Sequence, residues 1–197
     1  MITPYDIVSV WGLPVKESPL DGFIRPEDKN WSMIDLMSME IEAADFLWGL
    51  TRYFKPNIVV ETGTYYGFSA ASIALALAQN NRGHIWSIDI DEHRINQANK
   101  KIQHCEDLLG FKLQEKITFI AGDSLSNKII EQLPGNCIDL LVVDGGNRLA
   151  EQEYYSKYLS PNSIILQHDA LKKEEVYSLV KSKSGKIIYA GRGIGWV

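Results

Sequence analysis

The chain has 197 residues, 45% of them hydrophobic and 23% charged, with a formal net charge of -5. That is enough chain for one domain with a substantial core, and its composition is that of an ordinary globular protein. The acidic balance argues against a nucleic-acid partner, whose phosphates call for clustered Lys and Arg.

Two cysteines, Cys105 and Cys137, make neither a disulfide framework nor metal-type spacing. No apolar run approaches the roughly 18 residues of a membrane span. Met1-Ile2-Thr3-Pro4-Tyr5-Asp6 lacks the basic start of a signal peptide. The expectation is a cytoplasmic protein with no membrane partner.

Residues 1–36 hold four of the seven prolines and two of the five tryptophans. This stretch is read as a separate arm or lid, too irregular for a core element and too aromatic for a disordered tail. Its aromatics make a homodimer a reasonable expectation. From Met37 to Phe54 apolar residues recur at helical spacing until Pro56. The β-branched run Ile58-Val59-Val60 then reads as a buried strand, followed by a helix from Phe68 or Ser69.

Further strand–helix units follow in order. Strands are expected at His84–Asp89, Lys116–Ala121, Cys137–Asp144 and Ser163–Gln167. Helices are expected at Glu92–Leu109, up to about Leu133, at Glu151–Leu159 and at Ala170–Lys183. Such alternation gives a parallel sheet with right-handed crossovers. The last strands, Lys186–Ala190 and Ile194–Val197, are joined by too few residues for a crossover and must pair antiparallel. The fold class is α/β: a Rossmann-like, doubly wound, seven-stranded sheet, mostly parallel, with an antiparallel C-terminal hairpin.

The turn after the first of these strands reads Glu61-Thr62-Gly63-Thr64-Tyr65-Tyr66-Gly67-Phe68-Ser69. Its two glycines permit a tight turn and a close approach to a ligand. A dinucleotide fingerprint would open on a glycine where Glu61 stands. A carboxylate there repels pyrophosphate and attracts a cation. Acids recur at the strand ends, at Asp89, Asp123 and Asp144, and in this topology all strand ends share one edge. Asp89 stands roughly 20 residues beyond Gly67, the offset of an acid that accepts both ribose hydroxyls.

The acid-x-Gly-x-x-x-Gly stretch resembles motif I of the class I S-adenosyl-L-methionine (SAM)-dependent methyltransferases, and residues 37–197 correspond to that domain. The resemblance implies a cofactor site made by Glu61, Gly63, Thr64, Gly67 and Ser69 at the amino-acid end. Asp89 would hold the ribose, with Asp123 and Ser124 beside the adenine.

Asp144 with His168-Asp169 is similar to the metal site of the catechol-O-methyltransferase group. There an Asp after the fourth strand and an Asp-Asn pair after the fifth hold magnesium. Here His168 replaces the Asp and Asp169 the Asn, which weakens the magnesium case and admits manganese or another divalent ion. That group's lysine base falls at Asn147. Asp144 and His168 are therefore the expected catalytic pair, His168 taking the proton, and Asp144, His168 and Asp169 the expected metal ligands.

The implied reaction is methyl transfer to a hydroxyl of a small molecule, with or without a divalent metal. The rivals are an amino-group methyltransferase, a module that binds a nucleotide without catalysis, and a metal-dependent hydroxylase on a related scaffold.

Overall fold

A computed structural model of the chain describes residues 1–11, 16–19, 30–34, 37–135, 137–188 and 192–197, with side chains omitted at 16–19 and 30–33. Much of the expected arm, including Pro14 and Pro26, lies outside the described residues. So does Gly191 in the closing hairpin.

Seven strands form one sheet in the order β5-β4-β3-β6-β7-β9-β8. These are β3 (Ile58–Thr62), β4 (His84–Asp89), β5 (Ile117–Ala121), β6 (Ile138–Val143), β7 (Leu159–His168), β8 (Lys186–Ile188) and β9 (Ile194–Trp196). Strands β3 to β7 pair in parallel, while β9 runs antiparallel to both β7 and β8. The short β1 (Lys16–Pro19) and β2 (Asn30–Met33) form a separate antiparallel pair.

Successive residues of the central strands feed opposite cores, as the two-residue period of a strand requires. Val59, Leu140, Val142 and Leu166 join a large core with helices α1 (Pro4–Trp11), α2 (Ile41–Phe54), α3 (Phe68–Asn80) and α4 (Glu92–Leu109). Val60, Leu141, Val143 and Ile165 face the other way, with Ile129 of α5 (Asn127–Ile130) and Tyr155 of α6 (Arg148–Ser156). Every residue of α3 from Phe68 to Leu77 is buried, and its alanines and serines let it lie close to its neighbours.

The chain's start is more ordered than its prolines suggest. Pro4 occupies the first turn of α1, where it loses no helical hydrogen bond, and Asp6 Oδ2 accepts from Thr3 N at 2.7 Å. Ile7 and Val8 are buried in the large core.

Four elements start three or more residues away from expectation. Helix α2 begins at Ile41 rather than Met37, because Glu40 stays extended with its side chain buried. Helix α6 begins at Arg148 rather than Glu151, with Asn147 Oδ1 capping Ala150 N at 3.2 Å. Strand β7 begins at Leu159 rather than Ser163: Leu159 pairs with Ile138 and Ile164 with Leu140 of β6, so β7 carries extra residues, Pro161 among them, across an irregularity.

Residues 170–171 do not enter a helix. Asp169 takes φ 62°, and Ala170 N and Leu171 N donate to the Gly193 and Arg192 carbonyls. Helix α7 therefore starts only at Glu174 and ends at Ser182.

Candidate functional site

The carboxyl ends of β3 to β7 open into a cavity of about 620 Å³. Of the residues singled out from sequence, Gly63, Asp89, Asp123, Ser124, Asp144, His168 and Asp169 line it. Thr64 and Ser69 line a small adjoining recess with Gly63 and Asp144. Glu61 and Gly67 line neither.

Gly63 has φ 87°, and a Cβ there would overlap the Asp144 carbonyl, so its freedom serves the crossing of two loops. Gly67, at φ 82°, lies where a Cβ would stand 2.9 Å from the Ala98 Cβ of α4. The expected close approach is thus to the protein itself.

The loop after β3 is short of free donors. Gly63 N and Thr64 N donate to the Ile88 carbonyl at 2.8 and 3.2 Å, and Gly67 N to the Thr64 carbonyl at 2.8 Å. Tyr65 N donates to Asp89 Oδ2 at 2.8 Å. These four loop N–H groups are already committed within the protein.

Asp89 is fixed at the end of β4. Its Oδ1 accepts from Asp91 N at 3.0 Å, and Arg94 approaches to 4.0 Å. The Arg94 guanidinium also lies 5.3 Å from the Tyr65 ring centre. Asp91 caps α4 through His93 N, which separates its task from that of Asp89.

Glu61 is fully buried and accepts from Ser87 Oγ at 2.5 Å, while Ser87 also meets Thr64 Oγ1 at 2.6 Å. Burial pushes its carboxyl up to about 7, against the opposing pull of the Ser69 and Ser87 hydroxyls.

On the adenine side expected from sequence, Asp123 is exposed and accepts from Leu125 N at 3.0 Å. The Ser124 hydroxyl donates to Glu151 Oε1 at 2.7 Å, and Thr62 Oγ1 donates to Glu151 Oε2 at 3.0 Å. Glu151, unmarked in the sequence, ties the ends of β3 and β5 to α6.

The other end of the cavity holds three acids and three cations. Arg148 NH2 donates to Asp144 Oδ1 at 2.5 Å and to Asp169 Oδ2 at 2.8 Å, while its NH1 donates to the Gly145 carbonyl at 2.7 Å. His168 Nδ1 lies 2.9 Å from Asp144 Oδ1, and its Nε2 lies 2.9 Å from Glu40 Oε2. Arg192 Nε donates to Glu40 Oε1, and its NH2 to the Ser38 carbonyl at 2.6 Å.

A ring whose two nitrogens both face carboxylates is an imidazolium with two donors. Burial opposes its charge, but Asp144, Asp169 and Glu40 outweigh that and hold His168 at about 10. Glu40 is held below its usual range by His168 and Arg192 despite its burial, and Asp169 likewise by His168, Arg192 and Arg148.

One ligand atom each from Asp144, His168 and Asp169 lies within 4.8 Å of the others, a spacing that one ion could span. Their bonding does not suit one. His168 has no lone pair to offer while both nitrogens donate, and for the same reason it is not placed as a proton acceptor. Asp169 Oδ1 has no hydrogen bond, but it looks onto Arg192 Nε at 3.4 Å and His168 Nδ1 at 3.8 Å.

The six charges already balance. As arranged, the residues do not fit a divalent metal.

Glu40, Arg148 and Arg192 were not marked by sequence. Asp144 and Arg148 do stand four apart, the spacing of an ion pair on a helical turn. Glu40 and Arg192, 152 positions apart, carry no local signal of meeting.

Comparison with known proteins matches residues 60–170 to a family described as a methyltransferase domain. The chain belongs to this methyltransferase-domain family. No curated protein matches it.

Among solved structures, a methyltransferase from Geobacter sulfurreducens is similar with a TM-score of 0.65 at 22% identity, over 83% of this chain and 80% of that one. An O-methyltransferase from Bacillus cereus, in complex with S-adenosylhomocysteine (SAH), gives 0.65 at 15% identity, over 98% and 86%. The O-methyltransferase TomG from Streptomyces achromogenes, in complex with SAM, gives 0.62 at 14% identity, over 81% and 79%. At these identities the likeness is one of fold: the class I methyltransferase sheet with its antiparallel C-terminal strand pair.

Proposed function

We propose that the protein is a SAM-dependent methyltransferase that methylates a hydroxyl of a small molecule. One observation carries this reading. The strand-end acids Asp89, Asp123 and Asp144 face a single cavity, a setting for a cationic donor rather than a pyrophosphate. Family membership and the SAH- and SAM-bound neighbours of like fold support the same reading.

When bound, SAM supplies a methyl group on a sulfonium, which an acceptor oxygen takes in a direct displacement. The protein's part is chiefly alignment, which can contribute roughly 7–11 kcal/mol. Asp89, held by two backbone N–H groups and Arg94, is preset to accept the two ribose hydroxyls. Glu61, buried beneath the loop, would act on the ammonium end only through the Ser87 and Thr64 hydroxyls it holds.

Asp144 is the acceptor-side residue. Its Oδ1 is taken by Arg148 and His168, whereas its Oδ2 has no hydrogen-bond partner among the described residues. That oxygen is placed to receive the acceptor's hydroxyl proton. Arg148 and the His168 imidazolium stand beside it, positioned to stabilise charge developing on the acceptor oxygen.

Isothermal titration with SAH tests the reading. Saturable binding to the wild type is expected, weakened roughly 10–100-fold in Asp89→Asn, the worth of about 1.5–3 kcal/mol for a hydrogen bond to a charged group. Folded wild-type protein that ignores SAH would overturn it. Methyl-transfer assays against catechols, phenols and sugars then identify the acceptor.

A further inference from the structure

The resemblance noted in the sequence implies a divalent ion between Asp144 and the pair that closes β7. We infer that in this protein the guanidinium of Arg148 takes that ion's place, so that the acceptor side of the cavity is a metal-free centre with a built-in cation.

The geometry carries the inference. A single nitrogen of Arg148 bridges the two carboxylates an ion would share, at 2.5 and 2.8 Å, and a second nitrogen anchors the group to the Gly145 carbonyl. The side chain is 7% exposed and rises from the first turn of α6, so the bridge is held from below as well as from its tip. The third expected ligand, His168, spends both ring nitrogens on Asp144 and Glu40. Arg192 completes the balance by pairing with Glu40.

An arginine offers a planar, permanently charged fork, and a bridged arginine does not exchange as an aqua ion does. The consequence for catalysis rests on the methyltransferase reading above: Arg148 and His168, not a bound ion, would face the acceptor oxygen. The absence of metal binding rests on the side chains alone.

The test uses the full chain, dialysed against EDTA and titrated calorimetrically with MnCl2 and with MgCl2. Electron paramagnetic resonance follows free Mn2+, and SAH is titrated into the same preparation. The wild type is expected to show no saturable binding of either ion, and an SAH affinity that neither ion alters. Arg148→Ala removes the cation that Asp144 and Asp169 share, leaving the cluster one positive charge short, and is expected to take up one Mn2+. Arg148→Gln, which keeps part of the hydrogen bonding, serves if the alanine variant fails to fold.

A wild type that binds one Mn2+ or Mg2+ stoichiometrically would overturn the inference. So would a folded Arg148 variant that still ignores Mn2+, since another group would then be excluding the ion. A wild type that binds neither ion and also ignores SAH would leave the metal-free centre standing and remove the methyltransferase reading, so the two failures are distinguishable.

Discussion

Glu61 shows how burial can set the protonation of a side chain. With its carboxyl raised to about 7 from an ordinary 4.5, the folded chain binds this proton more tightly than the unfolded chain does. Glu61 therefore contributes stability that is fully present below about pH 4.5 and is lost as the pH rises through about 7. The swing is roughly 3 kcal/mol at most. Glu61→Gln removes the linkage, so urea melts at pH 5 and pH 8 should show the variant gaining on the wild type at the higher pH. A stability difference that stays constant with pH would refute the assignment. The sequence marks Glu61 as an acid at the end of a strand, because residue type and spacing carry that. Its withdrawal beneath the loop was not legible, because it depends on Ser87 of the neighbouring strand, 26 positions away.

Elements were legible where one periodicity dominates. β4 and α4 fall where expected, bounded by an acid and by Gly110, whose left-handed φ of 70° closes the helix. Boundaries were lost where long-range backbone bonds override the local pattern, as at Ala170 and Leu171, whose N–H groups go to the last hairpin instead of a helix.

Helix α1 is a different case. Thr3-Pro4-Tyr5-Asp6 is a capping pattern readable in one turn of sequence, but the prolines that follow hide it. Its docking is testable. Trp11 Nε1 donates to the Lys101 carbonyl at 3.2 Å and lies 2.7 Å from Cys105 Sγ, and its ring meets Phe68 edge-on at 5.6 Å. Burial pushes the Cys105 thiol up to about 11, so it resists alkylation, whereas Cys137 is exposed. Iodoacetamide should modify Cys137 first in the wild type. Trp11→Ala should cost about 2–3 kcal/mol and make Cys105 reactive under native conditions, both read by mass spectrometry and urea melts. Unchanged protection of Cys105 would mean that α1 does not cover it.

At the scale of the whole molecule, the sheet order puts the proposed cofactor half and the proposed acceptor half of the cavity on different strands. β3, β4 and β5 carry Gly63, Asp89 and Asp123, whereas β6 and β7 carry Asp144 and His168. The cations are unevenly spent across that line. Arg148 and Arg192 are consumed by acids on the acceptor half, and Arg94 is shared between Asp89 and Asp91 at 4.0 and 3.4 Å. The proposed cofactor half thus keeps acids that attract a sulfonium and an ammonium and repel a pyrophosphate. SAH lacks the sulfonium but keeps the ammonium and the ribose, so it should still bind. At a concentration of 100 times its Kd it would stabilise the native state by about 2.7 kcal/mol. For a chain of 197 residues that raises the Tm by roughly 5–10 °C. NAD, which offers two ribose groups joined by a pyrophosphate, should leave the Tm where it is. Differential scanning calorimetry with each ligand separates the cases: stabilisation by NAD, or by NAD and SAH alike, would mean that the acids of β3, β4 and β5 do not select the ligand.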